Sequence, residues 1–273
     1  MSAAQASAPA VSAPAATLTL TALPGLPLVQ PGDDLAALIL AALGPAGLTL
    51  RDGDVIAIAQ KIVSKAEGRL VRLADVTPSP RALELAALTE KDARFVEVVL
   101  SESSEVLRAR PNTLIVEHRL GFVCANAGLD RSNVAPHGEG LDEWVLMLPA
   151  DPDRSCAALR ARWKAETGAD VGVVINDSHG RAWRTGTVGV ALGVAGMPGL
   201  LDLRGHPDLF DYALQITQIG LGDELAAAAS LLMGQADEGR PVIHLRGLPY
   251  ALREGSAQEL IRPKSQDLFR DRS

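Results

Sequence analysis

Three polar segments of this chain combine the residue types that hard cations and phosphates require. The first, Cys124-Ala125-Asn126-Ala127-Gly128-Leu129-Asp130-Arg131-Ser132-Asn133, sets a carboxylate and two amides on a glycine-containing loop that can offer oxygens to a metal or donors to a phosphate. An Asx-turn would use the same residues with no ligand at all. The second, Asn176-Asp177-Ser178-His179-Gly180-Arg181, follows the apolar run Val171 to Ile175, so a carboxylate and a hydroxyl stand where a strand is expected to end. Such oxygen donors suit Mg²⁺ or Mn²⁺, and Arg181 and Arg184 can face anionic oxygens through their guanidinium geometry. A strand-ending turn with solvated charges is the alternative. The third, Met233-Gly234-Gln235-Ala236-Asp237-Glu238-Gly239-Arg240, is a polar loop after an alanine-rich helix pattern and, taken alone, reads as a helix C-terminus.

The familiar nucleotide fingerprints are missing. There is no Walker glycine-lysine loop and no G-x-G-x-x-G between a strand and a helix, so any phosphate site must be unconventional. Neither H-E-x-x-H nor a paired-cysteine pattern occurs, which argues against a zinc enzyme.

The elements that must position these segments can be read from periodicity and punctuation. A short strand is expected at Leu18 to Leu23, followed by an extended Pro24-Gly25-Leu26-Pro27-Leu28-Val29 whose two prolines fix the path. Asp33 or Asp34 can cap a helix whose apolar face is Ala36 to Leu43 and which Gly44-Pro45 stops. Arg51-Asp52-Gly53-Asp54 is a turn signature before a β-branched run, Val55 to Val63, that reads as one buried strand. Ser79-Pro80 supplies a cap and first-turn proline, and Arg81 to Val106 reads as two helices. Strands are expected at Thr113 to His118, Leu120 to Ala125 and Trp144 to Leu148, then a helix opened by Asp151-Pro152-Asp153 and running to about Glu166.

Val171 to Ile175 is a clean buried strand, and the glycine alternation of Thr185 to Gly196 suits a strand approached closely by other backbone. A helix from Gly222 to Leu232, capped near Asp223, and a strand from Pro241 to Leu245 complete the pattern. Helices and strands alternate too irregularly for a doubly wound sheet, so the class is α+β, with mixed and antiparallel sheets, flanking helices and two tightly joined lobes.

Composition narrows the partners. The chain has 273 residues, of which 47% are hydrophobic, enough for a substantial core. Its net charge of −7 argues against broad nucleic-acid or anionic-membrane contact, and aromatic residues at 3% leave little for base stacking. Cys124 and Cys156 suit buried thiols in a reducing cytoplasm better than a disulfide. Residues 1–17 are Ala/Ser/Pro-rich without a basic start or continuous apolar stretch, so they read as a disordered tail and not a signal peptide. No apolar run is long enough to span a bilayer.

Read in order with Gly25-Leu26-Pro27-Leu28-Val29 and Ile62-Val63-Ser64-Lys65-Ala66-Glu67-Gly68-Arg69, the three polar segments become specific. Together they resemble the coenzyme F420-0:L-glutamate ligase family, also called F420:γ-glutamyl ligase, from about Leu18 to Arg253. The resemblance implies a GTP-dependent ligase that attaches L-glutamate to the lactyl carboxylate of F420-0, adds a further glutamate through a γ-linkage, passes through an acyl phosphate, and releases GDP and phosphate. Metal ions would neutralise the mutually repelling anions of such a transfer.

Carried over by motif, Asp130 and Asp177 are expected to bind one divalent cation, with Ser178 and Gln235 near a second; a monovalent cation such as K⁺ is also compatible with the family. The GTP contacts map onto Leu26, Pro27, Leu28, Val29, Gln60, Lys61, Lys65, Asn133 and the loop Met233, Gly234, Gln235, Ala236, Asp237, Glu238, Gly239 and Arg240. Lys65 is the natural phosphate partner as a compact point charge; without the motif it would read as an exposed lysine after a strand.

Two departures stand out. Ser178 replaces a common threonine, keeping the hydroxyl, while Gln235 replaces a common glutamate, removing one negative charge. The stretch Ala135 to Trp144 is longer than in compact relatives, and His137 within it reads as a surface residue. The family resemblance further implies a cytoplasmic, intertwined homodimer, here as a stand-alone ligase lacking the flavin-binding domain that some members carry. Rival readings are another nucleotide-dependent carboxylate–amine ligase or kinase on the same scaffold, and a silent nucleotide- or deazaflavin-binding protein. Two retained aspartates weigh against the latter, since binding alone needs less charge neutralisation.

Overall fold

The computed structural model describes residues 16–134 and 143–270, so most of the N-terminal tail and most of the Ala135 to Trp144 stretch, His137 included, lie outside the described residues. In chain order the elements are β1 (Thr19–Ala22), α1 (Leu35–Leu43), β2 (Val55–Ala59), α2 (Gln60–Ala66), β3 (Leu70–Arg72), α3 (Pro80–Thr89) and α4 (Ala93–Ser101). Then follow β4 (Ser103–Arg110), β5 (Thr113–His118), β6 (Val123–Ala125), β7 (Trp144–Leu146), α5 (Pro152–Thr167), β8 (Gly172–Arg181) and β9 (Arg184–Ala195). The last are β10 (Leu201–Asp202), β11 (Gln218–Ile219), α6 (Leu221–Met233) and β12 (Val242–Arg246).

The class is α+β. A five-stranded sheet runs β1-β12-β2-β8-β9, parallel only between β2 and β8 and therefore mixed. The antiparallel sheets β4-β5-β6, β3-β7 and β10-β11 are smaller. Strand β2 is covered on both faces, which is why its sequence is an unbroken apolar run: Ile56 and Ile58 pack with α1 and α5, while Val55 and Ala57 pack with α6. Trp163 on α5 is fully buried and its indole N–H donates to the Ala36 carbonyl at 3.1 Å, tying α5 to α1. A third apolar cluster lies between α3, α4 and the β4-β5 hairpin.

Several punctuation marks act as expected. Asp34 accepts from the Ala37 N–H at the start of α1, Ser79 from Ala82 with Pro80 in the first turn of α3, and Asp151 from Arg154 at α5. In the turn before β2, Gly53 takes a positive φ and Asp54 accepts from the Arg51 N–H. Both cysteines are free thiols.

Other boundaries move, and each for a physical reason. Val55 to Val63 is not one strand: β2 stops at Ala59 and α2 begins at Gln60, because Val63 faces the core at helical spacing and Ser64 bonds Gln60 one turn back. The helical stretch expected to reach Val106 ends at Ser101, where the chain enters β4 and pairs with β5. Strand pairing also extends β8 through Arg181, so Asn176, Asp177 and Ser178 lie inside a strand, not beyond its end. Two strands are shorter than expected, β6 beginning at Val123 and β7 ending at Leu146. Asp223 does not cap α6, since Gly220 holds that position; its carboxylate instead accepts from the Ala191 N–H of β9 at 2.9 Å.

Strand β9 is the outer edge of the large sheet, and it is held on both sides by close backbone. A Cβ on Gly189 would lie 2.4 Å from the Ala226 carbonyl oxygen of α6, and one on Gly193 would lie 2.5 Å from Pro152 backbone at the start of α5. Asp153 from α5 accepts from the Val194 N–H at 2.7 Å, as Asp223 from α6 does from Ala191. Carboxylates therefore occupy donor positions on an edge that would otherwise be open.

Candidate functional site

Asp130 is placed by an unusual piece of backbone. Directly after β6, Asn126, Ala127 and Gly128 all take positive φ (53°, 53° and 68°), and Ala127 is fully buried there. A left-handed alanine costs roughly 1–2 kcal/mol, a strain that concentrates at functional sites. The turn is held because Gly128 sits under Leu148, where a Cβ would approach to 2.7 Å, and because Asp130 exchanges two backbone hydrogen bonds with Leu146 of β7 at 2.9 and 3.0 Å.

The Asp130 carboxylate is then gripped from α2. The Gln60 amide donates to its Oδ2 at 2.6 Å, and the Lys61 ammonium lies 3.4 Å from its Oδ1. Gln60 is almost wholly buried, and the Ser64 hydroxyl donates to its Oε1 at 2.9 Å. That second bond fixes which end of the amide faces Asp130. Burial pushes the Asp130 carboxyl up to about 6, with Lys61 pulling it down and the nearby Asp177 charge pushing it up again.

Asp177 comes to the same place from β8. Side chains alternate along a strand, so Asp177 and His179 share one face while Ser178 points to the other. His179 Nε2 stands 3.1 Å from Asp177 Oδ2, and its ring is tilted against Phe122 with centroids 5.5 Å apart. On the opposite face the Ser178 hydroxyl donates to Gln235 Oε1 at 2.6 Å, joining β8 to the loop after α6. That loop turns at Gly234, whose φ is 74° and where a Cβ would lie 2.0 Å from Glu238. It is also reached from the Asp130 segment, since Asn133 donates to the Ala236 carbonyl at 3.1 Å.

The remaining expected nucleotide residues surround α2. Lys61 also donates to Ser132, to its hydroxyl at 3.1 Å and its carbonyl at 3.3 Å. Lys65 is half-buried and pairs with no carboxylate among the described residues; burial first, and the Lys61 charge second, depress its pKa. Two neighbouring ammoniums, one without a counter-ion, suit a polyanion. The segment Leu26 to Val29 runs extended beside them: Val29 and Leu26 pack into the same core as Val63, Leu28 is exposed, and Gly32 donates to the Ala66 carbonyl at 2.9 Å. Asp237, Glu238 and Arg240 are exposed, while Met233 closes α6 in the core. Arg181 and Arg184 lie at the far tip of the β8-β9 hairpin, exposed.

The donor set passes a test for a hard divalent cation. The Asp177 charge adds to the cost of ionising Asp130, a cost that a cation between them would remove. Two buried amide oxygens in the same segments, Asn126 Oδ1 and Asn176 Oδ1, have no hydrogen-bond partner. No group of three His, Cys, Asp or Glu side chains converges among the described residues, so the remaining coordination would fall to neutral oxygens, water and phosphate, the habit of Mg²⁺.

Sequence reasoning did not foresee the Gln60–Ser64 clamp or the role of His179 beside Asp177. The i, i+4 spacing of the first and the i, i+2 spacing of the second were the available signals.

The whole of this arrangement falls within residues 25–247, which match the family model described as F420-0:Gamma-glutamyl ligase. Relatives named Coenzyme F420:L-glutamate ligase cover nearly the full chain. The Methanothermobacter thermautotrophicus protein is 47% identical over 93% of this chain and 99% of its own length. The Methanopyrus kandleri protein is 49% identical over 93% and 98%. The Archaeoglobus fulgidus protein is 44% identical over 90% and 94%. With Asp130, Asp177, Lys65 and the loop after α6 all inside the matched region, the chain belongs to the F420-0:γ-glutamyl ligase family.

Proposed function

We propose that this protein joins L-glutamate to coenzyme F420-0 at the expense of GTP, first on the lactyl carboxylate and then through a γ-linkage. The observation that carries this reading is the convergence of Asp130 and Asp177 beside Lys61 and Lys65, in a chain whose relatives are named for that ligation. A free carboxylate is a poor electrophile, so ligation needs its oxygen activated, here as an acyl phosphate that the glutamate amine attacks with loss of phosphate.

The division of labour follows from position. Lys65 and Lys61 attract and orient the phosphates as point charges. Gln60 spends its amide on Asp130 and Ser64, leaving its backbone for the nucleotide, which Leu26 to Val29 and Met233 to Arg240 would also contact. Asn133 holds the latter loop against the Asp130 segment. Asp130 and Asp177 would hold one Mg²⁺ or Mn²⁺, which when bound neutralises charge on the transferring phosphoryl group. Ser178 and Gln235 offer a second cation only neutral oxygens, a weaker set, and a monovalent ion such as K⁺ would suit it.

We read the working unit as a homodimer in the cytoplasm. Trp183, Leu209, Phe210, Tyr212 and Ile216 are all more than 60% exposed, an apolar surface that a second copy would cover. No helix among the described residues is long and apolar enough to cross a membrane.

The test is turnover of F420-0 with GTP, L-glutamate and each metal in turn, with products resolved by mass. Asp177→Asn should lower turnover about 100-fold or more while keeping the melting temperature, because it removes charge without volume. Near-normal activity in that variant would overturn the cation assignment, and product formation with another acceptor acid but not with F420-0 would favour a different carboxylate–amine ligase.

A further inference from the structure

Beside the carboxylate pair lies a cavity of about 190 Å³ that none of the roles above uses. It runs along the outer edge of β9, between the first turns of α5 and α6 and the Ala257–Leu260 turn. Its polar lining is Asp151, Asp153, Asp223, His179 and Gln258; Phe122 and apolar residues, among them Leu120, Val190 and Leu260, supply the rest. No lysine or arginine lines it.

The cavity is contiguous with the reacting centre. His179 forms part of its wall and also touches Asp177 at 3.1 Å, so a single imidazole separates the cavity from the proposed cation ligands. Asp223 faces it with one oxygen to spare: Oδ1 accepts from the Ala191 N–H, whereas Oδ2 has no hydrogen-bond partner among the described residues. Asp153 is disposed likewise, its Oδ1 accepting from both Val194 and Ala257 N–H groups. Burial raises the pKa of both carboxyls, outweighing the backbone hydrogen bonds each accepts and, at Asp223, the pull of His179. Carboxylates in such surroundings attract a positive charge, and an aromatic ring in the wall adds to that attraction. They repel anions, so neither a phosphate nor the carboxylate ends of an amino acid belong there.

We propose that this cavity receives the amino group of the incoming amino acid, with Asp223 as its ammonium acceptor and the substrate's carboxylates directed outward. The inference rests on the ligase reading above and names where the nucleophile of that reaction is held. The ammonium passes one proton to the Asp223 carboxylate, and the free amine then faces, across His179, the Asp177 side where the activated carboxyl group would lie. The site would select a ligand by its amine: glutarate, which has both carboxylates of glutamate and no amino group, should be a poor occupant.

Asp223→Asn is the discriminating variant, because Oδ1 can still accept from Ala191 while the charge is lost. In the full-length protein this change should raise KM for L-glutamate tenfold or more, leave KM for GTP within twofold, and abolish the preference for L-glutamate over glutarate as a competing ligand. An unchanged KM for L-glutamate would overturn the assignment, as would equal loss of affinity for glutarate. A second measurement stands apart from turnover. Titrating ¹⁵N-labelled protein with propylammonium should shift the Ala191 amide resonance in the wild type and not in Asp223→Asn. If the wild type ligates no glutamate yet shows that shift, the ligase reading fails and the amine cavity stands; if the shift is absent, the cavity assignment fails whatever the turnover.

Discussion

Gln60 shows how much of a site can depend on a side chain that is spent on other protein groups. Its buried amide bridges Ser64 and Asp130, and the Ser64 hydroxyl removes the choice of which end points at the carboxylate. Partners that orient metal-binding carboxylates typically matter 10–100-fold in metal affinity. Gln60→Ala should therefore raise the Mg²⁺ or Mn²⁺ concentration for half-maximal activity by about that factor, with Ser64→Ala giving a smaller shift in the same direction. Metal-activation curves that superimpose on the wild type would reduce the clamp to a packing feature. Residue type alone offered Asp130 and Asp177 as candidate hard-cation donors, with plain turns as the alternative. Gln60 was not legible as a carboxylate holder, because its partner is 70 positions away and only the fold brings them together.

At the level of elements, the glycine alternation of β9 was readable as close backbone approach, and Gly189 and Gly193 meet α6 and α5 within 2.5 Å of an added Cβ. The obstacles are backbone atoms, which cannot rotate aside, so Gly189→Ala should destabilise by about 2–3 kcal/mol as overpacking does. In a chain of this length that corresponds to a fall in melting temperature of about 3–6 °C, measurable by calorimetry. A melting point within a degree of wild type would mean that α6 sits less tightly on the sheet. The boundaries that sequence misjudged share one cause. Ile62 and Val63 favour strands locally, yet they continue as helix because Val63 is needed in the core. Asn176 to Arg181 carries a turn-like composition, yet it remains strand because β9 supplies a partner for each residue.

For the molecule as a whole, the β4-β5-β6 sheet is fastened to the segment that leads from α2 into β3 partly through Glu102. Burial would raise this carboxyl, but His118, Arg119 and Arg69 outweigh it and hold the group at about 2, below its ordinary 4.5. Arg69 follows α2 and donates to Glu102 at 2.8 Å, and Arg119 donates at 3.0 Å, while His118, whose Nδ1 accepts from the Leu120 N–H, turns its Nε2 toward the carboxylate at 3.5 Å. A depressed carboxyl stabilises the fold above its unfolded value and loses that contribution as protons bind. Stability should thus fall between about pH 4.5 and pH 2, by on the order of 3 kcal/mol from this group. Denaturant titrations across that range should show the loss in the wild type and a flatter profile in Glu102→Gln; parallel profiles would place the acid sensitivity elsewhere.

The way α5 and α6 grip β9 has a further consequence, for what happens when many copies are crowded together. A sheet's last strand is the natural template for a foreign strand, and the fibrous aggregates that follow grow by donor–acceptor pairing along it. On β9 the Ala191 and Val194 donors are already committed to Asp223 and Asp153. An approaching strand would have to displace those bonds and bring its own carbonyl oxygens against two carboxylates. The edge is thereby guarded by charge against runaway polymerisation, and the guard comes from the same two aspartates that face the cavity.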